Sequence, residues 1–424
     1  MTSSDPPALL SLREYEKLPY SHLSETGVRR LEQLTEELGV PLFRFFRTEA
    51  QAQQYVGVIE AGGSTIQILP KIYKEEEKNL GYLIFLLSYT QKQFQLLQTG
   101  TVNYERLNGS FLEIWIWHFA TQLRHLLRAQ WKHSYVEIEE RASFLRGKLL
   151  TERELAGTEE LYGRYACRYE VFTPDHLLNR VLKFCNGLLL RQTRVPSNRT
   201  ILQENDALLS EVTHHPVSAK DLDQIHLNRL NRDYEPILAL CRLLLEHSTL
   251  DLRAGRITQL AFVFDMNRLF EKFVAVFLQR HIREIKVGDN RHLKDVNYQH
   301  RLGRLFDEFN MDVDLVLTDD TNRSFLLDTK YKALDPEEKH MGLTQTDFYQ
   351  MYAYGGAGRQ RYDEIILLYP TTDAVRRSFH HSGLQLHVRQ FNPRVICDPS
   401  YGRLNRAAAA AELSKALLND NHTV

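Results

Sequence analysis

The chain has 424 residues, enough for two or three domains that each bury a core. Its 53 Lys and Arg against 54 Asp and Glu leave a formal net charge of -1, which excludes a uniformly basic nucleic-acid coat or membrane-surface protein. With 43% hydrophobic and 25% charged residues, the composition is that of a soluble globular chain and excludes a disordered or fibrous one.

In chain order, the N-terminus carries no basic segment followed by an apolar one, so no secretory signal is expected. Residues 26–39, "TGVRRLEQLTEELG", have apolar residues at helical spacing and end on Gly39, a helix stop. "YVGVIEAGGSTIQILPKI" (55–72) predicts a hairpin whose glycines form the turn. "LGYLIFLLSY" (80–89) is too short to span a bilayer and reads as core. "FLEIWIWHFATQLRHLLRAQW" (111–131) is an amphipathic helix, and "SYVEIEERASFLRGKLL" (134–150) is a strand pair or extended arm. Thr173–Pro174–Asp175 opens a further helix, and two more helical patterns lie near 204–213 and 234–248.

Beyond residue 250 the pattern changes. "QLAFVFDMNRLFEKFVAVFLQRHI" (259–282) reads as one long apolar helix. Two β-rich runs, 311–317 and 324–331, form a hairpin, followed by a helix from 344 and strands at 364–370 and 384–391. Helix, strand, strand, helix, strand implies an α/β domain with a mixed sheet. An Ala-rich stretch (404–419) favours a terminal helix. The expected division is an N-terminal α+β and helical region over 1–250, an α/β domain over 251–405 and a helical tail over 406–424. The four cysteines, Cys167, Cys185, Cys241 and Cys397, include no C-x-x-C pair, which argues against disulfides or a cysteine-based zinc site and fits a reducing cytoplasm.

The second hairpin carries the chemistry. Asp314 interrupts its first run, and Asp328 and Lys330, two apart, share a strand face at the end of the second. If the runs pair, Asp314 comes close to Asp328. Clustered carboxylates repel and lose hydration, costs that a hard divalent cation relieves. A lysine beside them can orient or deprotonate a water and stabilise charge on a phosphate, so phosphodiester hydrolysis is the suggested reaction. Asp328–Lys330 is the one D-x-K triplet in the chain; the three E-x-K triplets (Glu76, Glu284 and Glu337) lack a neighbouring strand bearing an acid. A plain cross-strand ion pair is the alternative reading. Glu271, on an apolar helix before the hairpin, is either a solvated edge acid or a third carboxylate for the site. Asp347, Gln350 and Tyr354 share one face of the helix after it.

These residues resemble the PD-(D/E)-x-K nucleases, and more closely the McrC family, the nuclease subunits of McrBC-type modification-dependent restriction systems. The resemblance rests on a helix Glu, then D-x13-D-x-K, then a helix with Y-Q-x-x-x-Y. It extends to "YVGVIEAGGSTIQILPKI", "FLRGKLL", "YEVFTPDHLLNRVLK", "MNRLFEKFV" and "LLDTKYKAL", in order from about 55 to 355. It implies a restriction-endonuclease-like domain with a central mixed sheet flanked by helices. Asp314 and Asp328 match the metal-binding acids, Lys330 the catalytic lysine, Glu271 the helix acid, and Gln350 and Tyr354 the supporting helix. The implied cofactor is magnesium, with manganese as an alternative. The implied partner is a McrB-like AAA+ GTPase hexamer, and the implied substrate is double-stranded DNA, including DNA with modified cytosine. Where the family usually has proline before the first acid, this chain has Val313. Asp312 shares a face with Asp314, which leaves either acid open for the first position.

No G-x-x-x-x-G-K-[ST] loop occurs, so no nucleotide bound in the P-loop manner is expected. "GGAGRQR" (355–361) follows a helix instead of opening one. The 134–150 stretch is the candidate arm toward a partner, with Arg141, Arg146 and Lys148 able to meet acidic groups. His214–His215 and His380–His381 are adjacent pairs that cannot share one metal, and there is no H-E-x-x-H or G-x-S-x-G. The run 374–394 is locally basic with aromatics and can track a DNA backbone. A stand-alone repair or RNA nuclease of the same superfamily, or a non-cleaving activator of an AAA+ partner, are the alternative functions.

Overall fold

The computed structural model describes residues 9–61, 63–91, 94, 109–129, 131–155, 163–229, 231–251, 256–288, 291–305, 308–332, 334, 342–356, 362, 364–371, 375–393 and 406–417. It divides into two compact units, Met1–Phe111 with Ala261–Val424, and Leu112–Leu260. Residues 1–111 thus fall in one unit with residues 261–424.

The first part of the chain opens with β1 (Leu9–Arg13), β2 (Lys17–Pro19), α1 (Glu25–Leu38), β3 (Phe43–Phe45), β4 (Glu49–Ala52), β5 (Tyr55–Ala61), β6 (Ser64–Leu69) and α2 (Glu76–Thr90). Ser24 caps α1 by accepting the Gly27 N–H at 3.1 Å, and Gly39 ends it in the left-handed region at φ 63°, as the sequence implies. The expected hairpin is β5–β6, and β1 joins β6 in parallel. The window 80–89 lies in α2 and is buried almost throughout, which fits its continuous apolar run.

The second unit contains α3 (Phe111–Ala129) beyond its first residue, β7 (Ser134–Ala142), β8 (Lys148–Leu149), α4 (Thr151–Leu155), β9 (Tyr165–Thr173), α5 (Leu177–Gln192), α6 (Pro196–Leu208), α7 (Glu235–Glu246) and β10 (Ser248–Asp251). The expected arm is a three-stranded sheet in the order β7-β9-β8, and its β9 was not anticipated from the sequence. Gly147 sits at φ 57° between β7 and β8, where a Cβ would meet the Arg168 carbonyl oxygen at 2.4 Å. Two of the candidate partner-facing cations are used within the arm. Arg141 donates to the Arg153 carbonyl at 2.8 Å, and Arg146 lies 4.8 Å from the Tyr169 ring centre. Lys148 is exposed on β8, and Phe144 and Leu145 project beside it at 58% and 59% exposure.

The expectation of one helix over 259–282 is incorrect. Arg256–Asp265 is a strand, β11, and the helix α8 (Met266–Arg280) begins only after it. Alternation in "LAFVFD" suits a strand laid on β5, and Asp265 ends it by capping α8, accepting the Asn267 N–H at 2.9 Å. Gly57 makes that pairing possible: a Cβ there would meet the Phe262 carbonyl oxygen at 1.8 Å. The chain then forms β12 (Lys286–Gly288), β13 (Arg291–Leu305), β14 (Phe309–Asp319), β15 (Ser324–Thr329), α9 (Gln345–Gly356), β16 (Glu364–Pro370), β17 (Arg376–His381), β18 (Leu384–Phe391) and α10 (Arg406–Leu417). Among the described residues these strands make a seven-stranded sheet in the order β12-β13-β14-β15-β16-β18-β17. It is mixed: β15, β16 and β18 run parallel, and the other pairings are antiparallel. The expected mixed sheet is therefore present, with the 15-residue β13 as an unforeseen member.

Helix α8 buries Leu269, Phe270, Phe273, Val274, Phe277 and Leu278. Phe273 meets Phe85 of α2 at 5.1 Å between ring centres, while Phe270 meets Tyr331 at 6.0 Å. Each fully buried aromatic of this kind contributes about 1.5–3 kcal/mol. This packing fixes which edge of α8 is left for Glu271. Residues 357–361 of the Gly-rich stretch, together with Cys397, lie outside the described residues. No described helix is long and apolar enough to cross a membrane.

Candidate active site

The hairpin β14–β15 pairs Leu315 with Leu327 and Thr318 with Ser324. Extended by one step, the same register sets Asp314 opposite Asp328. Backbone pairing stops there, and the Asp314 carboxylate takes over. Its Oδ2 accepts both the Thr329 N–H and the Thr329 hydroxyl, each at 2.7 Å. Thr329, between Asp328 and Lys330 in sequence, thus holds one of the two acids through its hydroxyl as well as its N–H.

Asp328 is 2% exposed, and its Oδ2 lies 2.9 Å from Lys330 Nζ. Beyond that ion pair the buried Oδ2 takes no well-formed hydrogen bond. Lys330 Nζ also donates to Gln350 Oε1 at 2.9 Å, and Gln350 Nε2 donates to the Tyr354 hydroxyl at 2.6 Å. The Tyr354 hydroxyl donates in turn to the Asp312 carbonyl at 2.8 Å. This chain of bonds holds the lysine head from α9, as the shared helix face suggested. Asp347, the third polar residue of that face, caps the helix start by accepting the Thr344 N–H at 3.0 Å.

Asp312 does not join the acids. Its side chain is half exposed and pairs with Arg301 at 3.1 Å, so the acid beside Asp328 is Asp314.

Burial is the main cause of the site's electrostatics. It pushes Asp328 up to about 7, the Asp314 charge adds to the rise, and Lys330 opposes it. Burial likewise raises Asp314, against the hydrogen bonds from Thr329. Glu271 is raised by burial and then by Asp314. It accepts from Gln299 Nε2 at 3.3 Å, and Tyr298 bonds it as well. Sequence reasoning missed Gln299 and Tyr298 because β13 was not foreseen. The β13–β14 register pairs Tyr298 with Leu315 and His300 with Val313, which sets Gln299 opposite Asp314. Gln299 also has φ 51°, a left-handed conformation that costs a side-chain-bearing residue about 1–2 kcal/mol. Gln299, Asp314 and Asp328 thus lie in one row across three adjacent strands.

The strand end is supported from the other terminus of the chain. Buried Glu14, just after β1, accepts the Tyr331 hydroxyl at 3.0 Å and the Lys71 N–H at 3.2 Å. Burial pushes Glu14 up to about 7. Lys71, the lysine after Pro70, lies 4.1 Å from the Tyr15 ring centre. The residue following Lys330 is therefore tied to the N-terminal strand.

Among the described residues no three His, Cys, Asp or Glu side chains form a ready-made metal cage. Glu271 was expected as a third metal ligand; it is coupled to Asp314 electrostatically but held by Tyr298 and Gln299. The two facing carboxylates still fit a hard dication. Both are raised by burial, and one buried oxygen lacks a sound hydrogen bond. Magnesium bound by two carboxylates keeps open positions for water and phosphate.

A mixed α/β fold with two acids and a lysine at the end of a hairpin in its sheet defines the class. Residues 50–370 match the family model of the McrBC 5-methylcytosine restriction system component, and the chain belongs to that family. Among solved structures, a chain of the refined half-complex of Thermococcus gammatolerans McrB AAA+ hexamers with bound McrC is similar. The TM-score is 0.70 at 18% identity, covering 96% of this chain and 99% of that one. A chain of the Thermococcus gammatolerans McrBC complex aligns with TM-score 0.50 at 21% identity, covering 64% and 88% respectively. At these identities the likeness establishes the fold. No curated protein matches.

Proposed function

We propose that this protein is the DNA-cleaving subunit of a McrBC-type restriction system, hydrolysing phosphodiester bonds with magnesium as part of an assembly with a GTP-hydrolysing AAA+ partner. The observation that carries this reading is the juxtaposition of Asp314 and Asp328 with Lys330, whose Nζ is 2.9 Å from Asp328 and 2.9 Å from Gln350. Family membership and the McrB-bound structural neighbours support the assembly.

Asp314 and Asp328 would hold the ion, with Glu271 beside Asp314. Magnesium, or manganese in its place, would supply a Lewis acid at the phosphate and a more acidic water. The protein's own work is positional. Thr329 fixes the Asp314 carboxylate, and Gln350 and Tyr354 hold the Lys330 ammonium where it can orient the attacking water. Lys330 also offers charge-assisted donation to the oxygen that gains charge as the phosphate is attacked. The hydrogen bonds are preformed, so little reorganisation is needed at the moment of reaction.

The test uses the full chain assembled with its AAA+ partner and a methylated plasmid. Lys330→Ala is expected to lower cleavage by about 100-fold or more while leaving stimulation of partner GTP hydrolysis in place. Undiminished cleavage by that variant would refute the assignment.

A further inference from the structure

On α9, the residues next to Gln350 turn outward. Tyr349 is 65% exposed and Tyr352 is 58% exposed. With Phe348, Met351, Phe379, His381, Leu384 and Leu386 they line a groove of about 360 Å³ between α9 and the β17–β18 edge. The groove wall is ordered by ring contacts: Phe348 meets Phe379 edge-on at 5.1 Å, and Tyr352 meets His381 at 5.9 Å.

Its rim carries one arginine. β17 is the edge strand of the seven-stranded sheet, and its pairing of Arg377 with Val388, Phe379 with Leu386 and His381 with Leu384 puts exposed Arg377 and His381 on the face of Phe379. Residues 375–393 contain no carboxylate. The adjoining helix carries a single acid, Asp347, which is engaged in capping. A guanidinium group thus stands at the edge of exposed aromatic faces, beside the helix that steadies Lys330. An apolar protein partner would meet the rings but gain nothing from Arg377. A nucleic-acid strand uses both, because bases stack on rings while a phosphate meets the guanidinium group.

We propose that this groove binds unpaired nucleotides of the DNA strand next to the cleavage site, with Tyr349, Tyr352 and Phe379 as stacking platforms and Arg377 meeting the backbone. This deepens the nuclease reading and rests on it. It means that the protein engages a locally opened strand and not only intact duplex.

The test is fluorescence anisotropy on the full chain in EDTA, so that binding is measured without cleavage. The probes are a fluorescein-labelled 15-nucleotide single strand and the matching blunt duplex. Tyr349→Ala and Tyr352→Ala are each expected to weaken single-strand binding about 5- to 100-fold, with Tyr352→Trp restoring it. Arg377→Ala is expected to reduce the salt dependence of log K by about 0.7, one phosphate's share for a single strand. Duplex binding should change less than single-strand binding. Equal losses on both probes, or unchanged binding in both alanine variants, would overturn the proposal. So would variants that bind DNA normally but lose stimulation of the AAA+ partner, since the groove would then serve a protein. Failure of the wild-type assembly to cleave, with single-strand binding still sensitive to the tyrosines, would count against the nuclease reading and leave the groove intact.

Discussion

Asp328→Asn removes a costly buried charge, and it is expected to stabilise the metal-free chain at neutral to alkaline pH. Burial raises Asp328 from its ordinary 3.8 to about 7. At about 1.36 kcal/mol per unit, keeping this group ionised costs the folded state about 4 kcal/mol at most. The sign follows from the direction of the shift. Below pH 4 the carboxyl is protonated in both folded and unfolded chains, and no penalty applies. As pH rises from 4 to 7 the unfolded chain ionises first, stability falls, and above 7 the loss is complete. Glu14, also raised to about 7 by burial, acts with the same sign in the same window. Asp328→Asn should therefore flatten the decline by roughly half, not abolish it, and Glu14→Gln should account for much of the rest. At about 2 °C per kcal/mol for a unit of this size, melting in EDTA at pH 8 should rise by roughly 4–8 °C, with little change at pH 4. Differential scanning fluorimetry across pH 4–8 reads both effects. A lower melting point for Asp328→Asn at pH 8, or an unchanged pH slope, would refute the view that desolvation of this carboxylate is an unrelieved cost. Magnesium should reverse the ranking by stabilising only the chain that keeps both carboxylates, and thermal shift with Mg2+ at pH 8 checks this directly.

Gln299 provides a test in which stability and activity part. Gln299→Gly relieves the positive φ and should raise stability by about 1 kcal/mol, while loss of the bond to Glu271 lowers cleavage; a variant that is less stable and fully active would contradict the assignment. For the arm, Phe144→Ala combined with Arg146→Ala in the full chain should weaken association with the AAA+ partner without lowering the melting point by more than about 1 kcal/mol equivalent, because both side chains are exposed. Unchanged partner affinity in a pull-down titration would remove the arm from the interface. A fragment ending at 250 is a poor substitute for such variants: it keeps β5 but removes the β11 segment, Ala261–Asp265, that pairs with it, baring an apolar strand edge.

Much of the site was legible in the sequence because it is local. Asp328 and Lys330 are two residues apart, Asp314 is one hairpin away, and the register follows once the two apolar runs are aligned. The lysine's supports were legible as well, since Gln350 and Tyr354 fall on one helical face. What escaped depends on pairing at long range. Gln299 and Tyr298 reach Glu271 only because β13 lies beside β14, and residues 291–305 are mostly polar, without the clean apolar alternation that announces a strand. The helix read over 259–282 failed for a related reason. "LAFVFDMNRLF" is apolar enough for either structure, and the decision lies with Asp265, which caps a helix more favourably than it continues one, and with Gly57, which lets a strand approach β5. Asp312 and Asp314 could not be separated by face, since they share one. They are separated by the register with β13, which places Arg301 opposite Asp312.

The pattern of burial explains why a sheet can hold these charges at all. An isolated buried Asp would simply stay protonated, and a buried ion pair seldom repays its desolvation. Here Asp314 and Lys330 are each held by a bond that an ordinary strand could not supply. Asp314 takes the N–H that backbone pairing leaves free after Leu315, and Lys330 is held by Gln350 of α9 as well as by Asp328 of its own strand. The segment after it is tied by Tyr331 to Glu14, some three hundred residues earlier in the chain, adding to the β5–β11 pairing and the α2–α8 ring contacts that join residues 1–111 to the C-terminal part. Removing the Tyr331 hydroxyl would leave Glu14 buried with one fewer donor and release the strand end at the point where Lys330 projects. The N-terminal strands are thus part of the machinery that keeps two carboxylates and an ammonium group in register. By its internal contacts, the segment 1–111 belongs to one compact unit with residues 261–424.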